Sequence, residues 1–502
     1  MKDFAEFLHN YPTVPSKVLT NIGKIIYNIS IVYFVRVKNM DNNSLTNLSM
    51  SEKDKNSIKV LCEEFKKYNY IKPENYTRYD VKRGLRNADG TGVTAGLTQI
   101  CNVHGYVLDE GEKAGVEGQL FYRGINVKEL VEGCIKEDRY GFEEVVWLLL
   151  FGKLPTAEQL SLFKNLIAEC RDLPAGFSED MIIKAPSPNI MNKMARSVLA
   201  LYSYDDNTEE LTIENLIRQS IELIARLPTI MVHAYQVKKR VYENKSMIFH
   251  PIDREHSTAQ HILASLRDDR SFTEEEARLL DICLMLHAEH GGGNNSTFAC
   301  RVLSSSGTDT YSTIAAGIGS LKGPKHGGAN IKTMEMLGYM MRDIKHPEKD
   351  SEVAEYIHKL LNKEAGDRSG LVYGMGHAVY TKSDPRAVII KQNAMKLAKK
   401  RGFDDEFMLL DAVERLAPDI IAEHKGGNVK AQDICANVDL YSGMVYKMID
   451  IPVDVYTPLF AIARMAGWCA HRIEEITTGN KIIRPAYKAV VKNVPYIPMN
   501  ER

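Results

Sequence analysis

The segment Thr273-Glu-Glu-Glu-Ala-Arg-Leu-Leu-Asp-Ile-Cys-Leu-Met-Leu-His-Ala-Glu-His-Gly-Gly-Gly293 predicts one complete α-helix together with both of its ends. Thr273 and Glu276 have the spacing at which each side chain bonds the other residue's unpaired backbone amide, an arrangement that starts helices. The glycines at 291–293 end the helix. His287 and His290 therefore lie near its carboxyl end.

Similar start signals recur along most of the chain. Thr156-Ala-Glu-Gln159 has the same reciprocal cap, and Asp384-Pro385 and Thr457-Pro458 each place proline at the first helical position after a capping residue. Gly402 suits a helix end. Neither an alternation of strands and helices nor a repeat of about 20–50 residues appears, so the predicted fold class is mainly α.

Two regions differ from this helical pattern. Residues 1–79 form a Lys/Asn/Tyr-rich leader with one amphipathic stretch, in which Ile58, Leu61 and Phe65 have helical spacing, and with no candidate chemistry. Between Gly84 and Gly124, short β-like pieces separated by glycine predict one or two small hairpins.

Composition excludes several classes of function. The 502 residues include 64 Lys+Arg and 65 Asp+Glu, a formal net charge of -1, so nothing attracts nucleic acid or an anionic membrane over the whole surface. The eight cysteines form no Cys-x-x-Cys pair, which indicates reduced thiols in the cytoplasm. The first residues are acidic where a signal peptide is basic, and the apolar run at 25–37 is too short to span a membrane.

Four of the 14 histidines occupy unusual positions. His287 and His290 could share a metal, but no third ligand follows at a recognised spacing, so a core His287 and a capping His290 are the better interpretation of that segment alone. His326 in Gly323-Pro-Lys-His-Gly-Gly-Ala-Asn330 and His377 in Gly374-Met-Gly-His-Ala-Val379 lie between glycines, which let a ligand come close. Two such loops favour function over turns in which histidine is incidental.

Three arginines and one aspartate add to these candidates. Arg464 has apolar neighbours three and four residues away on its helix, so it must meet an anion, either a ligand or a buried acidic side chain. Arg386 lies in a first helical turn, where a cation is unfavourable unless a carboxylate ligand docks there. Arg484, in Ile482-Ile-Arg-Pro-Ala486, is a weaker candidate in apolar surroundings. Asp439 would become a useful general base if partial burial raised its pKa, and its alternative role is to cap a helix running from Tyr441.

Together, Gly323–Asn330, Gly374–Arg386 and Asn437-Val-Asp-Leu-Tyr-Ser-Gly443 resemble the three active-site signatures of the citrate synthase family, in the family's order. The similarity extends from Gly84 to Arg484. One departure is Tyr373-Gly-Met-Gly376, where relatives commonly have Pro-Gly before the glycine and histidine.

The resemblance implies a mainly α-helical homodimer with its active site in a cleft between two domains. The large domain would comprise residues 80–327 and 451–502, the small domain residues 328–450, and residues 1–79 would be an extension of unknown role. The implied activity is a cytoplasmic step of the tricarboxylic acid cycle, an acyl-CoA:oxaloacetate acyl transfer with acetyl-CoA as co-substrate. It implies no metal or redox cofactor, no nucleic acid and no membrane partner.

The resemblance also implies a role for each residue. Asp439 would remove a methyl proton from acetyl-CoA while neutral His326 donates a hydrogen bond to the thioester oxygen, and His377 would polarise the ketone of oxaloacetate. The residues implied to bind the oxaloacetate carboxylates are His290, His377, Arg386, Arg464 and, from the neighbouring subunit, Arg484. Those implied to contact CoA are Val372, Gly374, Met375, Gly376 and Lys382.

Three alternatives stay open at this point. A 2-methylcitrate synthase would use propionyl-CoA, and one methylene changes binding by only about 1–3 kcal/mol. A catalytically inactive helical scaffold would keep the fold, although all the implied catalytic residues are present here. A metal-dependent hydrolase centred on His287 and His290 is the third possibility.

Overall fold

The computed structural model describes residues 52–87, 89–110, 112–427, 429–479 and 481–502, and it is mainly α-helical, as predicted. The chain divides into two compact units. One is Lys82–Tyr487, and the other is Met1–Val81 with Lys488–Arg502, of which residues 52–81 and 488–502 are described. The domain boundaries expected near residues 327 and 450 stay predictions.

The smaller unit contains helices α1 (Glu52–Tyr68) and α2 (Glu74–Arg78). The amphipathic stretch predicted around Ile58, Leu61 and Phe65 is confirmed as part of α1, and all three side chains are exposed.

The larger unit contains the hairpin and the remaining helices. Its strands are β1 (Cys101–Asp109), β2 (Glu112–Tyr122) and β3 (Ile125–Asn126). Its first helices are α3 (Val127–Lys136), α4 (Phe142–Phe151), α5 (Ala157–Glu169), α6 (Ile190–Leu201), α7 (Ile213–Tyr242), α8 (Thr258–Leu266) and α9 (Glu274–His287). They are followed by α10 (Asn295–Ser304), α11 (Thr310–Leu321), α12 (Ala329–Asp343), α13 (Asp350–Leu361), α14 (Pro385–Arg401), α15 (Asp404–His424), α16 (Asp439–Met448) and α17 (Tyr456–Thr478).

The glycine-punctuated region forms one hairpin. β1 pairs antiparallel with β2, and β2 pairs with β3, in the order β1-β2-β3. Upstream of β1, Arg86 and Gly92 form an isolated bridge instead of a second hairpin.

Most predicted helix starts are confirmed. Thr156 and Thr273 each form the complete reciprocal cap, and Asp384 caps α14 by accepting the amide of Arg386. The predicted start at Thr457 is wrong, because α17 begins at Tyr456 directly after a 3-10 turn. Thr457 donates its hydroxyl to the carbonyl of Gly327 (3.0 Å), so it holds the loop that carries His326 instead of capping a helix.

Helix α17 lies at the centre of the larger unit. It packs against α4, α7, α9, α10 and α11, and every residue from Tyr456 to Arg472 is buried. A second set of helices, α12 to α16, packs together, with α14 and α16 also in contact with α9. The fold thus brings α9, α14, α16 and α17 to one region.

Within the described residues, none of the helices has the length and apolar character needed to cross a lipid bilayer, and the apolar run at 25–37 lies outside them. All eight cysteines are free thiols.

Candidate active site

A cavity of about 770 Å³ lies where the hairpin, the turn after α9 and two glycine-rich loops meet. His290, His326 and His377 all line it, so the fold brings three predicted histidines together from distant parts of the chain. The complete lining is Arg86, Val103, His290, Gly291, Gly293, Asn294, Asn295, Ser320, Gly323, Pro324, Lys325, His326, His377, Ala378 and Val379.

His377 is fixed as a neutral hydrogen-bond donor. Its Nδ1 accepts the backbone amides of Val379 (3.0 Å) and Tyr380 (2.9 Å), so the proton of the neutral ring is assigned to Nε2. Burial lowers the pKa of His377 to about 4. The ring also stacks on Tyr380 with centroids 4.6 Å apart, which limits its rotation.

His326 is neutral as well. Burial lowers its pKa to about 4, and the positive charge of Arg464 adds to this effect. Its Nε2 lies 3.0 Å from Ser296 Oγ, which donates to Asn294 Oδ1 (3.0 Å) and accepts the indole N–H of Trp468 (3.1 Å). The Ser296 hydroxyl therefore controls which nitrogen of His326 carries the proton.

The two histidines of α9 have different roles. His287 is a core residue, as predicted for this segment alone: it is buried, its Nδ1 bonds the carbonyl of Cys283 (2.6 Å), and burial lowers its pKa to about 3. His290 lies past the end of α9 and lines the cavity, with Nε2 3.3 Å from the Tyr380 hydroxyl. The Tyr122 hydroxyl supports this turn, 3.1 Å from the carbonyl oxygen of Glu289.

Asp439 has the raised pKa that the sequence suggests. Burial raises it to about 6, against opposing effects from the positive charges of Arg386 and Arg464. The alternative capping role is wrong, because α16 begins at Asp439 itself and the Asn437 side chain accepts the Asp439 amide (3.0 Å). Within the described chain, nothing donates a hydrogen bond to the Asp439 carboxylate.

Arg464 is completely buried without an ion pair. Its Nε donates to the carbonyl of His287 (2.8 Å), and its guanidinium lies over the Phe460 ring, 4.8 Å from the centroid. Nη1 and Nη2 are buried and have no hydrogen-bond partner among the described residues. Among the described residues, Arg464 therefore forms no hydrogen-bonded salt bridge with an acidic side chain, which was the alternative open from sequence. Nη1 and Nη2 of Arg464 are therefore two charged donors available to bind an anion.

Arg386 is held differently from the prediction. Its Nε and Nη2 bond Oδ1 (3.0 Å) and Oδ2 (2.7 Å) of Asp384, and both side chains are buried. A docked carboxylate ligand is not needed to explain a cation at this helix start, because the capping carboxylate of Asp384 itself supplies a partner. Contact between Arg386 and substrate stays a prediction.

Asp439, Arg386 and Arg464 lie outside the cavity lining, and so do the remaining predicted residues. Arg484 is exposed to solvent in the single chain, not held in apolar surroundings as expected. Lys382 is exposed too, and Val372, Gly374, Met375 and Gly376 also lie outside the lining.

The glycine loop before His377 is tied to the segment before Asp439. Gly376 donates its amide to the Cys435 carbonyl (2.7 Å), and Asn437 donates its amide to the Gly374 carbonyl (2.9 Å). Gly374 has φ +80°, and a Cβ there would come within 2.8 Å of Leu440. Glycine is therefore required by the close contact of the two segments.

The cavity is also more basic than the sequence argument indicated. Arg86 and Lys325 line it, whereas no acidic side chain of the described residues does.

The sequence did not predict a role for Ser296, Tyr380 or Tyr122. Ser296 had one usable signal, its position two residues after Asn294 at the end of the glycine run. No cluster of three or more His, Cys, Asp or Glu residues arranged to hold a metal occurs in the described part of the chain.

A family model described as the citrate synthase C-terminal domain matches residues 87–486. The chain belongs to the citrate synthase family. It is similar to the citrate synthase of Synechocystis sp., with 33% identity over 445 residues, 86% of this chain and 96% of the relative. It is also similar to 2-methylcitrate synthase 1 of Corynebacterium glutamicum, with 34% identity over 390 residues, 76% of this chain and 92% of the relative.

A solved structure supports the same family. The ternary complex of Thermoplasma acidophilum citrate synthase with carboxymethyl coenzyme A and oxaloacetate matches with a TM-score of 0.66 and 26% identity, over 84% of this chain and 99% of that one. The chain is thus a member of a family of condensing transferases with an all-α fold.

Proposed function

We propose that this chain is a citrate synthase that condenses acetyl-CoA with oxaloacetate and water to give citrate and CoA. The observation that carries the proposal is the set of protonation states of Asp439, His326 and His377. At neutral pH Asp439, with a pKa of about 6, is ionised, and His326 and His377, with pKa values of about 4, are neutral. This is the combination of one base and two uncharged donors that the condensation needs.

In the first step, Asp439 takes a proton from the methyl carbon of acetyl-CoA. The negative charge that develops on the thioester oxygen needs a donor, and His326 supplies it. This role requires that the Ser296 hydroxyl turns its proton from Asn294 Oδ1 to Nε2 of His326, because the ring proton then lies on Nδ1 and is free to meet the substrate.

In the second step, the enol carbon attacks the ketone carbon of oxaloacetate, and the ketone oxygen takes up a proton. The Nε2–H of His377 polarises this ketone before attack. Arg464 offers its two unpartnered nitrogens to a substrate carboxylate, with His290 and Arg386 beside it. Water then hydrolyses the thioester of citryl-CoA. No electrons are transferred overall, so we propose that no redox cofactor takes part. We also propose that no metal is needed, because His326 and His377 supply a donor to each of the two reacting carbonyl oxygens.

The proposed CoA-binding residues come from the family resemblance and from the cavity lining. Residues Val372, Gly374, Met375, Gly376 and Lys382 are retained from the family resemblance. Arg86 and Lys325 are added because they are the cations of the cavity lining and neither forms an ion pair with a described residue. Phosphate groups would gain from both charges.

A second candidate is a 2-methylcitrate synthase, favoured by the 34% identity to the Corynebacterium glutamicum enzyme of that name. Comparison of kcat/KM for acetyl-CoA and propionyl-CoA with oxaloacetate, measured by CoA release with a thiol reagent, separates the two. We expect acetyl-CoA to be preferred. A clear preference for propionyl-CoA would favour the second candidate, and no CoA release with either would favour an inactive scaffold.

We further propose a homodimer in which Arg484 of one subunit completes the site of the other. Its exposure in the single chain supports this assignment. Free cysteines throughout the chain support a reducing, cytoplasmic location, where the reaction would serve the tricarboxylic acid cycle.

A further inference from the structure

Glu289 is a fully buried carboxylate between two residues of the proposed oxaloacetate site. It directly precedes His290, and α17, which carries Arg464, packs closely against it. The amide of Gly467 donates to the carbonyl of Ala288 (3.2 Å), and a side chain at Gly467 would collide with Glu289 Oε2. Arg464 lies one helical turn before Gly467, on the same face of α17.

The two oxygens of this carboxylate have different surroundings. Oε1 accepts the amide of Gly291 (2.5 Å) and Nε2–H of His471 (3.0 Å). Oε2 is buried and has no partner among the described residues, and the same is true of both Nη atoms of Arg464. Two opposite buried charges therefore lie close together, each with polar atoms left unpaired. Each lowers the cost of burying the other through space.

The groups behind Glu289 hold it in place and in its ionised form. Arg301 donates from Nε (3.0 Å) and Nη2 (2.7 Å) to Nδ1 of His471, so the ring directs its Nε2–H at Glu289. Arg301 is itself paired with Glu474 and with Glu475 (2.7 Å). Burial raises the pKa of Glu289, but His471, Arg464 and the Gly291 amide outweigh it and hold the pKa below its ordinary value.

We propose that Glu289 is a positioning residue for Arg464: its buried carboxylate is the counter-charge that keeps the guanidinium in the site while leaving both terminal nitrogens free for a substrate carboxylate. This rests on the proposed function, since the anion is taken to be oxaloacetate. The arrangement has a cost, because a carboxylate near the site also repels a dianionic substrate. Glu289 therefore stabilises the empty site at the expense of oxaloacetate affinity.

Glu289→Gln tests directly whether Glu289 stabilises the empty site at the expense of oxaloacetate affinity. Glutamine keeps the shape and the acceptor at Oε1 but removes the charge. We expect calorimetry to give a Kd for oxaloacetate that is roughly tenfold lower, with a parallel fall in KM and no gain in kcat. The Tm of the ligand-free protein should fall. Damage to the structure alone would weaken oxaloacetate binding, so an unchanged or higher Kd would overturn the proposal.

A stability cycle gives a second test that needs no substrate. Arg464→Met and Glu289→Gln each leave one uncompensated buried charge, whereas the double variant removes both. We expect the Tm of the double variant to exceed that of either single variant. If Glu289→Gln alone does not fold, folding of the double variant supports the proposal. Additive losses of Tm, or a double variant that does not fold, overturn it.

Glu276→Gln is the matched control, because it neutralises another buried and ionised carboxylate of α9, which is paired with Arg267 (3.0 Å) and Arg401 (2.5 Å). It should change Tm without changing the Kd for oxaloacetate, and a similar fall in Kd would mean a general charge effect and overturn the specific role. Wild-type protein that binds no oxaloacetate would instead contradict the proposed function, and the Tm cycle would still decide the role of Glu289.

Discussion

The side chain of Asn437 donates a hydrogen bond from Nδ2 to the carbonyl of Gly376 (2.9 Å). Its Oδ1 accepts the amide of Asp439, so one side chain joins the segment that carries the proposed base to the loop that carries His377. The base and the ketone-polarising histidine thus keep a common geometry although they are far apart in sequence.

Asp439→Asn should separate activity from stability. The variant loses the base, and we expect kcat to fall by about a thousandfold. It should also be more stable at pH 7.5 by about 2 kcal/mol, because an ionised buried carboxylate no longer has to be accommodated.

The stability gain of Asp439→Asn should depend on pH. Burial raises the pKa of Asp439 from 3.8 to about 6, so the wild type bears the cost of the charge fully above pH 6 and not below pH 3.8. Denaturant unfolding at several pH values checks this. A variant that is less stable than wild type at pH 7.5 would contradict the assigned burial cost.

The pH dependence of kcat/KM should show one ascending limb with a midpoint near pH 6. Asp439 must be ionised to act as the base, and it loses its proton as the pH rises through its pKa of about 6. His326 and His377 have pKa values of about 4 and are already neutral there. Initial rates between pH 5 and 9 measure the profile, and a falling limb near pH 7 would mean that a histidine acts in its charged form.

Arg464→Lys should raise the KM for oxaloacetate by about 10- to 100-fold, since an ammonium cannot present two parallel donors to a carboxylate. Arg472→Lys is the control on the same helix. All the hydrogen bonds of Arg472 go to protein oxygens, including Thr310 Oγ1 and Thr313 Oγ1 (both 3.0 Å), so it should lower Tm and leave the KM unchanged. Equal KM effects of the two variants would argue against the carboxylate role of Arg464.

Ser296→Ala should lower kcat by about tenfold or more through His326, without removing any group that touches substrate. Without the hydroxyl, nothing holds the proton of His326 on Nδ1. Ser296→Thr keeps the hydroxyl and should restore most of the rate. If Ser296→Ala has wild-type kcat, the proton position on His326 is set by something else.

Arg86→Gln and Lys325→Gln should each raise the KM for acetyl-CoA and make it less sensitive to salt, because each removes a phosphate-attracting charge. Lys382→Gln is the comparison, since Lys382 was expected from the sequence and lies outside the cavity lining. Initial rates at low and high ionic strength, with saturating oxaloacetate, decide between the two sets. A KM effect confined to Lys382→Gln would restore the original assignment.

The sequence predicted correctly the features that depend on interactions between residues close together in the chain. The caps at Thr156 and Thr273 use partners three residues away, and the glycines around His326 and His377 can be seen in the chain itself. Asp439 was also recognisable, because apolar neighbours on both sides indicate burial.

The wrong or missed predictions concern side-chain contacts that form only in the folded structure. Thr457 has the pattern of a helix cap, but its hydroxyl bonds Gly327, 130 residues away. Arg386 has its partner only two residues away, yet the pairing depends on how Asp384 turns at the helix start. Ser296 meets His326 through packing that neither segment encodes alone.

The burial of α17 has a consequence for experiments on site mobility. Arg464, Trp468 and His471 share one helix in which every residue from Tyr456 to Arg472 is shielded from solvent. Backbone amides of such a helix exchange with deuterium only when the whole domain opens, whereas those of the loops around His326 and His377 exchange through small local fluctuations. The helix that carries Arg464 is therefore as durable as the fold itself, and movement that admits substrate or releases product must come from the loops around His326 and His377.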